Sequence, residues 1–258
     1  MSTRLFYGSS GTPFLDESKL TDLAGTVIDT SPLMRLVYAG NYPAIVAYYV
    51  LYWPFVRDFE LVINERGREL LRYRKKLNAR FSDGDTIIRS IAQAVAEMME
   101  EEGTHAKIWQ KDAKNTGIDS LDSDIVAPGV LKLVEAARTA PLWMHYCILG
   151  GTEEIAVGLS KRGVASPPFL GCHTIGRSLW SEVHLKADPP GRPSHHQIDR
   201  DLARALYTID NPEATDEEAR TALMDAEAAT IAMFGEAALD VYRLIKFDAT
   251  TSVAVAAE

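Results

Sequence analysis

Residues 91–109 read IAQAVAEMMEEEGTHAKIW, and this stretch decides the fold. Ile91, Val95, Met98, Glu102, His105 and Trp109 follow one another at alternating steps of four and three. On an α-helix they form one stripe. Most of that stripe is apolar, so it is expected to face a core. Glu102 and His105 interrupt it side by side. A buried carboxylate costs several kcal/mol unless it is paired or coordinates a metal, on the order of the transfer cost of an isolated charge. A Glu-x-x-His pair pointing into a helical bundle is one established way to present metal ligands. The plainer alternative is that Glu100, Glu101 and Glu102 form an acidic run on a solvated face.

Outward from this helix the pattern stays helical. Asn41 and Pro43 read as the start of a helix to about Asn64, with Pro54 as a kink or break. The helix holding the stripe begins near Asp85 and ends before KNTGIDSLDSD. Val130 to Arg162 reads as one or two helices stopped by Gly163. SPPFLG (166–171) reads as a loop. Further helices are expected over Thr174–Ala187, before Pro189-Pro190, and over Ser194–Ile209. A last helix opens with the capping box Thr215–Glu218 and runs to about Phe247. The sequence shows no strand pattern, repeat or phosphate-binding glycine loop. It therefore predicts an all-α bundle over residues 1–258 as a single domain, with about 12 N-terminal and about 10 C-terminal residues frayed.

Composition narrows the function classes. The chain has a formal net charge of −9 and 47% hydrophobic residues. Such a balance argues against a nucleic-acid or anionic-membrane partner, since both reward a basic face. Two cysteines, Cys147 and Cys172, are no disulfide framework and suggest a reducing, cytoplasmic setting. The N-terminal residues lack the apolar region of a secretion signal. Leu36–Val56 carries no charge and is long enough to span a bilayer, but Asn41, two prolines and several tyrosines favour a buried helix.

Other polar residues interrupt apolar faces. In LWMHYCILGGTEEIAVGLS (142–160), Cys147, Gly151, Glu154 and Gly158 share a face of small residues, which would let a helix or ligand approach closely. Glu154 fits the inward position better than Glu153 by a thin margin, and a surface pair of glutamates is the bland alternative. His184 and Asp188 share a face with Trp180. His195 falls in register with Ile198, Leu202, Ala205 and Ile209, while His196 points toward Asp199; a histidine pair at a helix start is more often a solvated cap. His145 and His173 have no comparable partners and read as structural. Carboxylates and imidazoles without thiolates suit iron or manganese more than structural zinc.

Taken in order, Trp53-Pro54-Phe55-Val56 with Phe59, Glu102-x-x-His105, Glu154 with Gly158, and His184 with Asp188 resemble the haem-oxygenase-like di-iron oxidases and oxygenases. These are relatives in fold of the thiaminase-like and pyrroloquinoline-quinone-synthase-like helical proteins, and the likeness is nearest to the undecene-forming fatty-acid decarboxylases. It extends from Leu51 to Ala205. The resemblance implies a haem-oxygenase-like bundle holding two iron ions that cycle between Fe(II) and Fe(III), with O2 as co-substrate. Its ligands would fall on Glu102, His105, Glu154, His184 and Asp188. The family's last histidine would fall on Gly191, which cannot bind metal, so His195 is assigned in its place across the inserted PPGRPS. That departure weakens the second iron site. Tyr48, Tyr49, Tyr52 and Trp53, with Cys147, would line the substrate pocket or serve simply as core.

The expected function is therefore a non-haem di-iron, O2-activating oxidase or oxygenase in a biosynthetic pathway. Amine N-oxygenation is preferred to decarboxylation or carbon–carbon cleavage of a fatty or amino acid, because the altered third metal helix departs from the decarboxylase pattern. The expected partners are a small-molecule substrate, with an external electron donor and a homodimer both compatible with the chemistry. Two other classes compete: a metal-free thiaminase-like hydrolase using Cys147 as nucleophile, and a non-catalytic helical binding protein whose buried polar residues specify the fold.

Overall fold

The computed structural model describes residues 15–80, 96, 103–186 and 195–255, and every regular element among them is an α-helix. Two short helices precede the elements read above. Helix α1, Glu17–Thr30, is capped by the Asp16 side chain, which accepts from the Lys19 amide. Ser31 ends α1 and starts α2, Pro32–Tyr38: its hydroxyl accepts from the Met34 amide while Pro32 fills the first turn. Gly40, at φ 72°, turns the chain into α3.

Helix α3 spans Tyr42–Arg80 without interruption at Pro54, correcting the expected break there and the expected end near Asn64. Pro54 deletes one backbone hydrogen bond, but Tyr49, Leu51, Tyr52, Trp53 and Val56 are buried on both sides of it and hold the helix together. The polar continuation is fastened by long side chains. Arg66 donates to the Ala140 carbonyl, and the Tyr73 hydroxyl donates to Asp210 Oδ2 at 2.8 Å. The uncharged stretch 36–56 is thus divided between α2 and α3 inside the bundle. Among the described residues no helix is long and apolar enough to cross a membrane.

Helix α4 is helical over its described residues 103–115; Ile91, Val95 and Met98 of the stripe lie outside the described residues. Pro141 divides the next region into α5, Pro128–Thr139, and α6, Leu142–Val164. Helix α6 is the central rod, with α9, α10, α1 and α8 packed around it. Glycines permit this crowding. A Cβ on Gly151 would lie 2.9 Å from Thr230 Cβ of α10, and one on Gly158 would lie 2.7 Å from Ile28 Cδ1 of α1.

The SPPFLG segment is a five-residue helix, α7, Pro167–Gly171, and not a loop. Ser166 accepts from the Phe169 amide and Pro167 occupies the first turn, enough local order to start a helix. Helix α8 is shorter than expected, Leu179–His184, because Gly176 at φ 67° and Ser178 as N-cap delay its start. Helix α9 runs from His195 to Asp210 and α10 from Asp216 to Val255, beyond Phe247. The capping box is present: Glu218 Oε2 accepts from the Thr215 amide at 2.7 Å, and Thr215 Oγ1 accepts from the Glu218 amide at 3.2 Å.

Candidate functional site

The stripe on α4 continues inward through His105, Trp109 and Asp112, all buried. His105 meets His184 of α8. Their ring centroids lie 4.8 Å apart with planes inclined by 30°. Trp180 stacks on His184 at 4.2 Å and meets His105 at 5.5 Å. His184 Nδ1 lies 2.8 Å from the Trp180 carbonyl oxygen. A carbonyl only accepts, so Nδ1 carries a proton and donates it to that oxygen.

Both histidines border a cavity with about 60 Å³ of space for the centres of water-sized molecules, room for several such centres. Its walls are chiefly aromatic, including Tyr48, Tyr52, Phe55, Phe59 and Phe234, and α6 contributes Thr152, Glu153 and Ile155. Among the described residues the lining holds no Lys or Arg. Its polar pole is the imidazole pair; the side chains of Glu153, Tyr48, Tyr52, Thr152 and Thr230 also line it.

The carboxylate at the cavity is Glu153; the structure does not place Glu154 in the lining. Glu154 enters a charged cluster between α6, α9, α10 and α1. It accepts from Arg200 Nη2 at 3.1 Å and from the Thr21 hydroxyl at 3.0 Å. Arg200 is also held by Glu227, with Nε at 3.0 Å from Oε1 and Nη2 at 2.9 Å from Oε2, and by Glu17 at 3.0 Å. Burial raises the Glu227 pKa even though Arg200 pulls it down. Burial opposes the Arg200 charge, but Glu227 and Glu154 more than compensate and raise its pKa. His196 bridges the two glutamates, with Nδ1 3.7 Å from Glu154 and Nε2 4.0 Å from Glu153.

Helix α9 is also turned relative to the face read from its sequence. Asp199, Arg200, Leu202, Ala203 and Leu206 are buried, whereas Ile198, Ala205 and Ile209 are half-buried. Counting apolar positions missed this because Arg200 and Asp199 go inside. His195 lies in the first turn of α9; its side chain, like all of Glu102 and Asp188, lies outside the described residues. Among the described residues, no three His, Cys, Asp or Glu side chains form a group able to hold a metal ion.

The remaining pocket residues separate cleanly. Tyr48 and Tyr52 line the cavity; Tyr49 and Trp53 are core residues beside it. Cys147 is fully buried and does not line the cavity. Burial raises its thiol pKa well above the usual range, and the nearby carboxylates of Glu227 and Asp199 raise it further. That is the opposite of nucleophile activation.

Asp112 was not singled out from sequence, though it sits seven residues beyond His105 on the same stripe. It is completely buried and accepts from the hydroxyls of Ser178 at 2.6 Å and Tyr49 at 2.9 Å. It also accepts from the amides of Leu179 at 2.8 Å and Trp180 at 3.3 Å. Burial pushes its pKa up, but the bonds from His173, Ser178 and Leu179 outweigh this and hold it below the usual carboxylate range. The Leu179 and Trp180 amides open α8, so Asp112 fixes the helix that carries Trp180 and His184. His173 is buried, with Nδ1 3.1 Å from the Phe169 carbonyl and Nε2 3.3 Å from the Tyr49 hydroxyl. His145 is buried on the far side, with Nδ1 2.8 Å from the Ala137 carbonyl.

No protein-family model, no curated protein and no solved structure matches the chain.

Proposed function

We propose that the protein is a non-haem iron, O2-activating oxidase or oxygenase of the haem-oxygenase-like type. Its substrate on this reading is a small, largely apolar amine. The observation that carries the reading is the facing pair His105 and His184 at the edge of an aromatic cavity that Glu153 also lines. Nitrogen and oxygen donors without thiolate match the preference of iron. The Trp180 carbonyl holds Nδ1 of His184, which would leave Nε2 as the ligating atom. His105 and His184 would hold the metal, together with Glu102, Asp188 and His195. Iron bound there would supply the one-electron steps that dioxygen needs to react with a closed-shell molecule.

The residues around the pole provide the rest. Trp180, stacked on His184, and Asp112, at the start of α8, fix the imidazole before any ligand arrives. The aromatic walls exclude bulk water and grip an apolar chain or ring. An amine meets the Glu153 carboxylate and the faces of Tyr48, Tyr52 and Trp109. This favours N-oxygenation over fatty-acid decarboxylation.

The test is anaerobic Fe(II) titration of the native protein, His105→Ala, His184→Ala and Glu153→Gln, followed by mixing with O2. Oxygen uptake is then compared with octylamine and with octanoate. The expected result is stoichiometric iron in the native protein, its loss in both histidine variants, and uptake stimulated by the amine. Failure of the native protein to retain iron rejects the reading. Stimulation by octanoate alone rejects the amine.

A further inference from the structure

An unbroken file of aromatic rings leads away from the cavity edge. Centroids step from His184 to Trp180 at 4.2 Å, to Trp109 at 4.8 Å, and to Tyr49 at 5.0 Å. Trp109 and Tyr49 are buried, and a second step of 5.0 Å from Trp109 reaches Tyr48 at the cavity wall. We propose that Tyr49 is a redox-active tyrosine, giving up one electron through Trp109 and Trp180 and one proton to Asp112. The inference rests on the reading of the cavity as a place where a strong one-electron oxidant is formed from O2. That oxidant is reduced by one electron, the Tyr49 phenol becomes a neutral phenoxyl radical, and the carboxylate becomes a carboxylic acid.

The hydrogen bonds decide where the oxidising equivalent comes to rest. An oxidised indole or phenol is strongly acidic and becomes a stable neutral radical only if its proton has an acceptor. Trp180 Nε1 is buried with no hydrogen-bond partner among the described residues. Trp109 donates its Nε1–H to the Tyr49 backbone carbonyl at 3.0 Å, and an amide oxygen is too weak a base to take that proton. Tyr48 and Tyr52 line the cavity, and among the described residues Tyr52 donates to the Phe234 carbonyl alone, at 3.5 Å. Tyr49 instead donates to the Asp112 carboxylate at 2.9 Å, with His173 Nε2 3.3 Å from its hydroxyl. Burial holds its phenol un-ionised beforehand, so oxidation must move electron and proton together. Tyr49 is the one tyrosine on this path placed for that.

The test needs no iron, which separates its outcome from that of the proposed function. Metal-free protein is flash-oxidised with photogenerated tris(bipyridine)ruthenium(III), and tyrosyl radical is followed by absorbance and by freeze-quench electron paramagnetic resonance. Exposed tyrosines such as Tyr42 give short-lived radicals; the buried Tyr49 radical is expected to outlast them by at least tenfold. Tyr49→Phe should remove more than half of the long-lived signal, whereas Tyr48→Phe and Tyr52→Phe should retain it. Fluorotyrosine at position 49 keeps the hydroxyl and the hydrogen bond, and should change the hyperfine pattern, guarding against a packing artefact. Asp112→Asn, confirmed folded by circular dichroism, should lower the long-lived yield severalfold. A long-lived signal that is absent in the native protein, unchanged in Tyr49→Phe, or unaltered in hyperfine pattern by fluorotyrosine overturns the proposal. An unchanged yield in Asp112→Asn overturns the proton route.

Discussion

Glu153 and Glu154 are neighbours in α6, yet they serve two different regions. Glu154 enters a cluster in which Arg200 is gripped by Glu227 and Glu17 as well. Glu153 borders a cavity shared with His105 and His184. In the first region buried charge is answered by opposite charge from another helix, and the result is architecture. In the second, a carboxylate and two imidazoles line a cavity whose described residues include no Lys or Arg. A buried polar residue is therefore read by what stands opposite it, and helical register alone does not separate the two cases.

The sharpest way to break this contrast is to remove the cation. Arg200→Met leaves Glu227 and Glu154 facing one another in the core and is expected to cost about 3–5 kcal/mol. Urea denaturation measures it, and a loss below about 1 kcal/mol, the surface-pair range, would show the cluster to be solvated.

The next effect is on the order of 3 kcal/mol and depends on pH. Burial lowers the His145 pKa to about 4 from 6.5, so the folded state prefers the neutral ring. Its contribution is complete above pH 6.5 and is lost as pH falls toward 4, a loss on the order of 3 kcal/mol for a shift of this size. The stability gap between native protein and His145→Gln should shrink across that window; a pH-independent gap contradicts it. Asp201 carries the opposite sign. Burial raises it to about 7 from 3.8, against the bond from Gln197. Its contribution is complete below pH 3.8 and lost as pH rises through 7, so the gap to Asp201→Asn should shrink in that direction.

Crowding beside both glutamates comes third. Gly151→Ala sets a Cβ 2.9 Å from Thr230 and 3.0 Å from the Glu227 carbonyl oxygen, an overpacking expected to cost about 1–3 kcal/mol. An unchanged denaturation midpoint would mean that α6 and α10 separate freely. The smallest effect on folding is expected at the cavity. His184→Ala should cost about 1 kcal/mol or less while abolishing iron binding, since residues placed for function commonly add little to stability. A cost as large as that of Arg200→Met would move His184 into the architectural class.

Much of this was legible in the chain. Steps of four and three brought His105 and Trp109 to one inward face, and the spacing of Trp180 and His184 put both on one side of a helix. The capping box at Thr215 was legible because it is local chemistry. What stayed hidden has physical causes. One residue is 100° of helix, so Glu153 and Glu154 flank the same direction, and only the packing of α9 and α10 decides between them. Arg200 and Asp199 read as surface because charge usually is; their burial depends on partners from α6 and α10, distant in sequence. The continuation of α3 beyond Asn64 is held by Arg66 and Tyr73, whose partners come from other parts of the chain.

Helix α8 has six residues, too few for a helix to persist in water without outside support. Its opening amides are held by one carboxylate from α4, while Ser178 caps its first turn and Trp180 and His184 pack on Trp109 and His105. Amide hydrogen exchange should therefore divide the bundle unevenly. The backbone of α8 should open at a lower free energy than that of α6, and Asp112→Asn should hasten exchange in the former while sparing the latter. Asp112 thus contributes to how long the cavity keeps its shape.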